Sequence, residues 1–214
     1  MILTMNNKLL TFLGKDSGFG EKNNSAYIDL KDKLILIDCG FTVFGDIRKN
    51  FDLSKYSTIE VIITHLHNDH AGSLSQLILY AWFIYHKKVT VYTNCINMKI
   101  YLEITGTPTE SYEIKNKAEN LKFIKTEHVD YIDAYGFELN INGTKIVYTG
   151  DTRTIEPFLP YIDDCNELYI DVSKYGGAHI KIDDVDELLK DISKKGVKVN
   201  LMHIDDWEYI KKFE

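Results

Sequence analysis

The protein has 214 residues and a mass of 24.7 kDa, which fits one large domain or two very small ones. Hydrophobic residues make up 44% of the chain and charged residues 27%, a globular balance that excludes long disordered stretches. The formal net charge is -7, and 23 of the 25 cations are lysines because Arg48 and Arg153 are the only arginines. Since bidentate phosphate contacts favour arginine, this composition argues against a long nucleic acid as partner.

The sequence contains no pattern typical of export or membrane insertion. Residues 1–8 lack a basic segment followed by a long apolar core. The longest apolar run, residues 77–85, has about half the length that a membrane span needs. Cys39, Cys95 and Cys165 are too widely spaced to indicate a disulfide framework or a C-x-x-C metal site. We therefore expect a cytoplasmic protein with reduced cysteines and no membrane partner.

Short apolar runs bounded by Gly, Asp, Asn or Lys predict strands along the whole chain. These runs fall at residues 9–13, 26–30, 34–38, 61–64, 89–92, 121–125, 137–141, 145–148, 167–171 and 199–202. Asn142-Gly143 predicts a tight hairpin turn between two of the strands.

Two segments predict helices among these strands. Residues 74–85 form an apolar run too long for a half-exposed strand. A second helix is predicted to begin with Asp183 as its N-cap and to end at Gly196, since apolar residues between them recur at helical spacing. No linker or composition shift divides the chain, so we expect a single α/β domain over residues 1–214, with helices covering the sheets.

The segment from Thr64 to Gly72 carries the most chemical information. It places four side chains that can bind metal within six residues, directly after a predicted strand: His65, His67, Asp69 and His70. The first two histidines are two residues apart and share one side of an extended segment, whereas Asp69 and His70 can face a neighbouring ion. Neutral imidazoles with carboxylates suit zinc, with manganese or iron as further candidates.

This segment resembles the H-x-H-x-D-H signature of the metallo-β-lactamase-fold hydrolases. Matches to the family pattern also occur at Asp38 after an early strand, at His128, at Asp151 in Gly-Asp-Thr and at His203 after the last strand. The resemblance implies a four-layer αββα sandwich in a single domain, built around two zinc ions.

The resemblance also implies a role for each matched residue. Metal one would be held by His65, His67 and His128, and metal two by Asp69, His70 and His203. Asp151 would bridge the two ions, and Asp38 would orient a ligand imidazole through its free N–H.

Further segments resemble the ribonuclease Z-like phosphodiesterases within this fold family. They are the Gly-rich opening at residues 12–25 and Gly-Asp-Thr-Arg at residues 150–153. That branch carries a histidine that is not a ligand and a glutamate on the preceding strand, and His179 and Asp171 occupy these positions. The resemblance thus implies that His179 donates a proton to the leaving oxygen or contacts phosphate, with Asp171 as its orienting partner. Together with Asp69, these two residues are the candidate catalytic residues.

The acidic charge and the absence of a long basic arm favour a small anionic substrate. In its size, in the segment around His179 and in its compact C-terminus, the chain resembles the phage-associated anti-Pycsar enzymes, which degrade cyclic pyrimidine nucleotides. The resemblance implies hydrolysis of a small, cyclic nucleotide by attack of a metal-bridging hydroxide on phosphorus. Two alternatives stay open: a lactonase or thioesterase on the same site, and a protein that sequesters a nucleotide without cleaving it.

Two apolar segments have two interpretations each. The helix at residues 74–85 is apolar on every face, which fits either a buried core helix or a homodimer contact. Trp207 and Tyr209 could stack on a base, or they could pack a terminal helix against the domain.

Overall fold

The computed structural model describes residues 9–213, so our interpretation of residues 1–8 concerns a segment outside the described residues. Within 9–213 the chain forms eleven strands and seven α-helices. The strands are β1 (Thr11–Gly14), β2 (Ser25–Leu30), β3 (Lys33–Ile37), β4 (Thr58–Ile62), β5 (Val89–Tyr92), β6 (Tyr112–Lys115), β7 (Leu121–Lys125), β8 (Tyr135–Ile141), β9 (Thr144–Tyr148), β10 (Glu167–Asp171) and β11 (Lys198–Met202). The helices are α1 (Val43–Asn50), α2 (Asn68–Ala71), α3 (Leu74–Tyr85), α4 (Met98–Ile104), α5 (Leu159–Ile162), α6 (Ile182–Lys194) and α7 (Trp207–Ile210).

The strands form two mixed sheets. The first sheet has the order β1-β2-β3-β4-β5-β6, with antiparallel pairing from β1 to β3 and parallel pairing from β3 to β6. The second sheet has the order β11-β10-β9-β8-β7, with β9, β10 and β11 parallel and the remaining pairs antiparallel. In each sheet, parallel strands therefore end side by side at one edge, where loops can bring side chains together.

Three separate hydrophobic clusters show that the domain has four layers. One cluster lies between the first sheet and helices α1, α3 and α4, and a second lies between the other sheet and helices α5, α6 and α7. A third cluster joins the two sheets face to face. Strand β3 illustrates the alternation, since Leu34 and Leu36 pack toward the helices while Ile35 and Ile37 face the other sheet. The predicted four-layer αββα single domain is thereby confirmed over the described residues.

Most predicted elements match the structure. The helix at 74–85 and the strands at 89–92, 121–125 and 167–171 have the predicted bounds, and the other strands differ by at most three residues at an end. Asn142 and Gly143 adopt φ angles of +52° and +84°, as the predicted two-residue hairpin turn requires. The three cysteines are free and buried, as expected.

Two predicted boundaries were wrong for physical reasons. Strand β4 begins at Thr58, because Glu60, which interrupts the apolar pattern, is accommodated by an ion pair 2.9 Å long with Lys33 on the neighbouring strand. Helix α6 begins at Ile182 after Lys181, so Asp183 lies in the first turn and is not the N-cap. Its carboxylate instead accepts a hydrogen bond from the hydroxyl of Tyr209.

The sequence prediction missed one strand, β6, and four helices, α1, α2, α4 and α5. Helix α1 buries only Val43 and Ile47, too few apolar positions for a clear helical pattern. Strand β6 lies at the edge of its sheet and contains only four residues.

Helix α3 has one buried face and one exposed end. Leu77, Ile78 and Ala81 are buried, whereas Phe83 and Ile84 are 62% and 60% exposed. The homodimer contact predicted for this helix stays a prediction. Among residues 9–213, no helix has both the length and the apolar character that crossing a membrane requires.

The two aromatic residues near the C-terminus take part in packing. Tyr209 packs against the core on the outer side of the second sheet. The indole N–H of Trp207 donates a hydrogen bond of 2.7 Å to Asp16 in the Gly-rich opening. These contacts match the terminal-helix interpretation of this segment.

Replacement of Gly136 tests how tightly the start of β8 is packed. A Cβ at this position would lie 2.4 Å from the carbonyl oxygens of Tyr148 and Thr149 and 2.6 Å from the ring of Phe158. We expect Gly136→Ala to lower the free energy of unfolding by about 2–3 kcal/mol, measured by urea denaturation. A Cβ at Gly45 in α1 would have none of the surveyed atoms within 4 Å. Gly45→Ala should therefore raise the free energy of unfolding by about 0.5–1 kcal/mol. Wild-type stability in Gly136→Ala would contradict this packing.

Candidate metal centre

The predicted ligands lie at one end of the two sheets, each in the segment that follows a strand. Asp38 follows β3, His65, His67, Asp69 and His70 follow β4, His128 follows β7, Asp151 follows β9, and His203 follows β11. Six of the seven histidines of the sequence meet here, counting His179 in the loop after β10. The structure therefore brings together residues that are up to 165 positions apart in the chain, from Asp38 to His203.

His65, His67 and His128 form the first cluster of potential ligands. Nδ1 of His67 lies 3.0 Å from Nε2 of His65 and 3.3 Å from Nε2 of His128. Two nitrogen ligands of one tetrahedral zinc lie roughly 3.3 Å apart, given zinc–nitrogen distances of about 2.0–2.1 Å. These nitrogens are thus spaced as ligands of a single ion, with His67 facing it through Nδ1 and the other two through Nε2.

Asp69, His70 and His203 form a second cluster, together with Asp151. Oδ2 of Asp69 lies 3.1 Å from Nε2 of His70 and 3.2 Å from Nε2 of His203. Asp69 and His70 lie in the short helix α2, which begins directly after His67. The potential ligand atoms of Asp69 and His70 therefore group with those of His203 and Asp151; that this group holds a second ion stays a prediction.

Asp151 lies between the two clusters. Its Oδ2 is 3.8 Å from Nε2 of both His65 and His128 and 3.4 Å from Nε2 of His203. Its Oδ1 is 3.3 Å from Nε2 of His70. One carboxylate thus faces both groups of ligands, which is the arrangement that a bridging aspartate needs.

Hydrogen bonds from neighbouring residues orient the imidazoles. Nδ1 of His70 lies 2.8 Å from Oδ2 of the fully buried Asp38, and Nδ1 of His128 lies 3.0 Å from the carbonyl oxygen of Ala178. Nδ1 of His65 lies 3.1 Å from the hydroxyl of Thr64. In each case the nitrogen away from the cluster is engaged, which fixes the orientation of the ring and leaves the other nitrogen free to bind an ion.

Left-handed backbone conformations occur at three of these strand ends. Asp38, Gly150 and His203 each have a φ of +58°. Such angles are unfavourable for residues with a Cβ and are concentrated at functional sites in proteins. At Asp38 the turn is held by backbone and side chain together, since its N–H donates to Ile62 and its carboxylate accepts from the N–H of Thr64.

Gly40 permits the close approach of the loop that carries Asp69. A Cβ at residue 40 would lie 1.8 Å from the carbonyl oxygen of Asp69, a separation that no real contact allows. The segment after β3 therefore has to be glycine at this point for α2 to sit against it.

Burial keeps part of the site neutral. It lowers the pKa of His65 well below its ordinary value, and the neighbouring His70 lowers it further. Burial also lowers the pKa of His67, helped by His128. These imidazoles are unprotonated at neutral pH, the state in which histidine binds metal.

The second cluster concentrates opposite charges. Burial opposes ionisation of Asp69 and Asp151, but His203 and His70 outweigh it and lower the pKa of both carboxylates. Burial likewise opposes protonation of His203, yet Asp151 and other nearby carboxylates raise its pKa to about 10. For the same reason Asp151 and Asp38 raise the pKa of His70 well above its ordinary value. Protons on His70 and His203 therefore balance the negative charges of the buried carboxylates.

The donor set fits divalent cations. Nε2 of His70 and Oδ1 of Asp151 are buried and form no hydrogen bond with any described residue, although they lie 3.3 Å apart. Buried polar atoms without partners are rare in folded proteins and indicate a missing ligand. Five imidazoles and two carboxylates facing two positions are the ligands that zinc prefers.

His179 and Asp171 lie beside the second cluster. Nδ1 of His179 is 2.9 Å from Oδ2 of Asp171, and Asp171 also accepts a hydrogen bond from the N–H of Thr152. Asp171 therefore reaches His179, although its side chain is shorter than that of the glutamate expected from the resemblance to the ribonuclease Z-like branch. Burial opposes protonation of His179, but Asp171 and Asp151 raise its pKa above the ordinary value.

Sequence reasoning missed several residues that position this site. The side chain of Asn24 links the sheets, since it donates to the hydroxyl of Tyr148 and accepts from the N–H of His203. Arg153 donates from Nε to the carbonyl oxygen of His128 at 2.9 Å. Both residues lie in segments that resemble the ribonuclease Z-like branch, Asn24 in the Gly-rich opening and Arg153 in Gly-Asp-Thr-Arg, but neither was predicted to have a role of its own.

Comparison with known proteins shows related sequences across most of the chain. The sequence profile of the family described as anti-Pycsar protein Apyc1 matches residues 8–101. The anti-Pycsar protein Apyc1 of Bacillus phage 010DV004 is 28% identical, over 92% of this chain and 89% of the relative. The Apyc1 protein of Bacillus phage BSP38 is 26% identical over the same shares.

Solved structures share the fold at lower sequence identity. The metallo-β-lactamase fold protein YhfI from Bacillus subtilis has a TM-score of 0.76 and 18% identity, covering 95% of this chain and 90% of the other. The short form of human tRNase Z has a TM-score of 0.68 and 15% identity, covering 93% of both chains. Zn²⁺-bound PqqB from Methylobacterium extorquens has a TM-score of 0.67 and 12% identity, covering 92% of this chain and 89% of the other. The chain is therefore a metallo-β-lactamase-fold protein whose sequence is similar to the anti-Pycsar Apyc1 proteins, as its motifs predicted.

Proposed function

We propose that the protein is a dinuclear zinc-dependent phosphodiesterase that hydrolyses a small, cyclic nucleotide. The observation that carries this proposal is the pair of ligand clusters with Asp151 between them and with His179 and Asp171 beside them. The anti-Pycsar name of its relatives and the zinc bound to PqqB, which has the same fold, support the substrate class and the metal.

The proposed ligands are those predicted from the sequence. His65, His67 and His128 would hold one ion, Asp69, His70 and His203 would hold the other, and Asp151 would contact both. Two bound zinc ions supply a nucleophile at neutral pH and stabilise the charge that develops on a phosphodiester. Manganese or iron could take the same sites. A further catalytic role for Asp69, beyond binding metal, stays a prediction.

His179 is suited to donate a proton to the leaving oxygen. Its Nδ1 is engaged by Asp171, so Nε2 is the nitrogen that can meet a substrate. Asp171 and Asp151 raise its pKa above the ordinary value, which favours the protonated imidazole, the form that a general acid needs. Its ring packs 4.8 Å from the ring of His203 and 5.2 Å from that of His128, centroid to centroid, so a leaving group at the metal centre lies within reach.

The charges of the proposed metal centre support an anionic substrate. Cations would dominate the local charge, whereas the chain as a whole carries a net charge of -7. A small substrate reaches such a centre without crossing an extended acidic surface, while a long nucleic acid would be repelled along its length. The cytoplasmic location and the homodimer stay predictions.

Product chromatography with a substrate panel tests the proposed activity. The zinc-loaded protein would be incubated with cyclic mono- and dinucleotides, bis(p-nitrophenyl) phosphate, a homoserine lactone and a thioester. We expect turnover of the cyclic nucleotides, and loss of that turnover on metal removal and in His67→Ala and Asp151→Ala. Turnover of only the lactone or thioester would replace the phosphodiesterase proposal. Depletion of a nucleotide in stoichiometric amount without product would indicate sequestration.

Replacement of His179 tests its role as proton donor. We expect His179→Ala to lower kcat by about 100-fold while its zinc content, measured by elemental analysis, stays that of the wild type. Because the acid acts while protonated, wild-type kcat should fall as the pH rises through the raised pKa of His179, and this alkaline fall should be absent in the variant.

His86 provides a matched control for this substitution. It is exposed at the C-cap of α3 with a φ of +56°, an angle that asparagine tolerates. His86→Asn should keep the wild-type kcat and the wild-type pH profile. The proton-donor role would be refuted if His179→Ala kept the alkaline fall, or if its loss of activity were explained by loss of zinc.

A further inference from the structure

A cavity of about 470 Å³ opens beside the first histidine cluster, between two loops. One loop, residues 126–134, joins β7 to β8 and carries His128, and the other follows β5 and contains Cys95, Ile96 and Asn97. We propose that this cavity binds the base of the nucleotide whose phosphate is held at the metal centre. This inference rests on the proposed function and adds the part of the site that recognises the nucleoside.

The position of the cavity relative to the ligands supports this assignment. His128 lines it directly, as does Leu66, which lies between His65 and His67 in the chain. The ring of Tyr131, also in its wall, has its centroid 6.2 Å from that of His67. A chemical group bound in the cavity would therefore lie next to a group bound at the first cluster. The base and the phosphate of one nucleotide are neighbours in the same way.

The walls offer the surfaces that a base requires. Tyr131 and Ile96 are 82% and 78% exposed, although both are large apolar side chains. Exposed side chains of this kind gathered at one cavity indicate a ligand. An aromatic ring at such a position stacks on any base, because every base has a π face. Asn97, which also lines the cavity, can donate and accept hydrogen bonds at the edge of a base.

The charges around the cavity favour a neutral group over a second phosphate. Glu127, Asp130 and Asp133 contribute three negative charges, against two positive charges from Lys125 and Arg153. Both cations already face carboxylates, since Lys125 lies 3.1 Å from Asp133 and Arg153 lies 3.5 Å from Asp130. A phosphate would meet a net negative wall here, whereas the amino groups of a base would find acceptors. The cavity thus favours a mononucleotide over a substrate with a phosphate at both ends.

The loop that carries Tyr131 is anchored to the fold. The N–H of Thr126 donates a hydrogen bond of 3.0 Å to the carbonyl oxygen of Ala134, which joins the two ends of the loop. Sγ of Cys95 lies 3.6 Å from the carbonyl oxygen of Asp133, which joins the loop to the opposite wall. Nε of Arg153 donates a hydrogen bond to the carbonyl oxygen of His128. The cavity is therefore largely formed before a ligand enters, as is typical of small-molecule sites.

Equilibrium binding to the zinc-loaded protein tests this inference without requiring turnover. The probes are adenosine 3′,5′-cyclic phosphorothioate, which resists hydrolysis, and the same cyclic phosphorothioate on ribose without a base. We expect Tyr131→Ala to weaken binding of the base-bearing probe by about tenfold and to leave binding of the abasic probe unchanged. Tyr131→Phe should restore wild-type binding, because stacking needs the ring and not the hydroxyl.

Tyr175 provides the matched control. It is 72% exposed in the loop between β10 and α6, and it does not line the cavity. Tyr175→Ala should bind both probes as the wild type does. An equal effect of Tyr131→Ala on the two probes, or no preference of the wild type for the base-bearing probe, would overturn the inference. Preferential binding of the base-bearing probe by a protein that hydrolyses no cyclic nucleotide would refute the proposed function and leave the base site standing.

Discussion

The burial of opposite charges at one end of the two sheets is the constraint on which the rest of the structure depends. Four carboxylates, those of Asp38, Asp69, Asp151 and Asp171, lie among six imidazoles with little access to water. Ionised carboxylates in such surroundings are stable only beside compensating positive charge. Protons on His70 and His203 can provide it, and divalent cations would provide it more completely, because they also satisfy the buried atoms that have no partner.

The fold positions these groups because its parallel strands end at the same edges. Each ligand follows a strand, and left-handed backbone at Asp38, Gly150 and His203 turns the chain sharply where the strand ends. Three apolar clusters then fix the two sheets and their helices relative to one another. A rigid frame of this kind holds side chains from distant parts of the chain at ligand spacing, which a flexible loop could not do.

Local patterns in the sequence predicted much of the fold, and one motif predicted where the site lies. The uniformly apolar run of α3 and the Asn142-Gly143 turn are recognisable from adjacent residues alone. His128 and His203 could be assigned only through the resemblance of the whole chain to a family, since a lone histidine carries no such information. The role of Asn24 and the cavity beside His128 were not predictable, because both depend on segments that meet only after the sheets have packed.

A crystal structure of the zinc-loaded protein, with anomalous scattering measured at the zinc edge, tests the central claim most directly. We predict two anomalous peaks per chain, roughly 3.5–4 Å apart, with Asp151 between them. One peak should lie among His65, His67 and His128, and the other among Asp69, His70 and His203. A single peak, or peaks away from these side chains, would contradict the account.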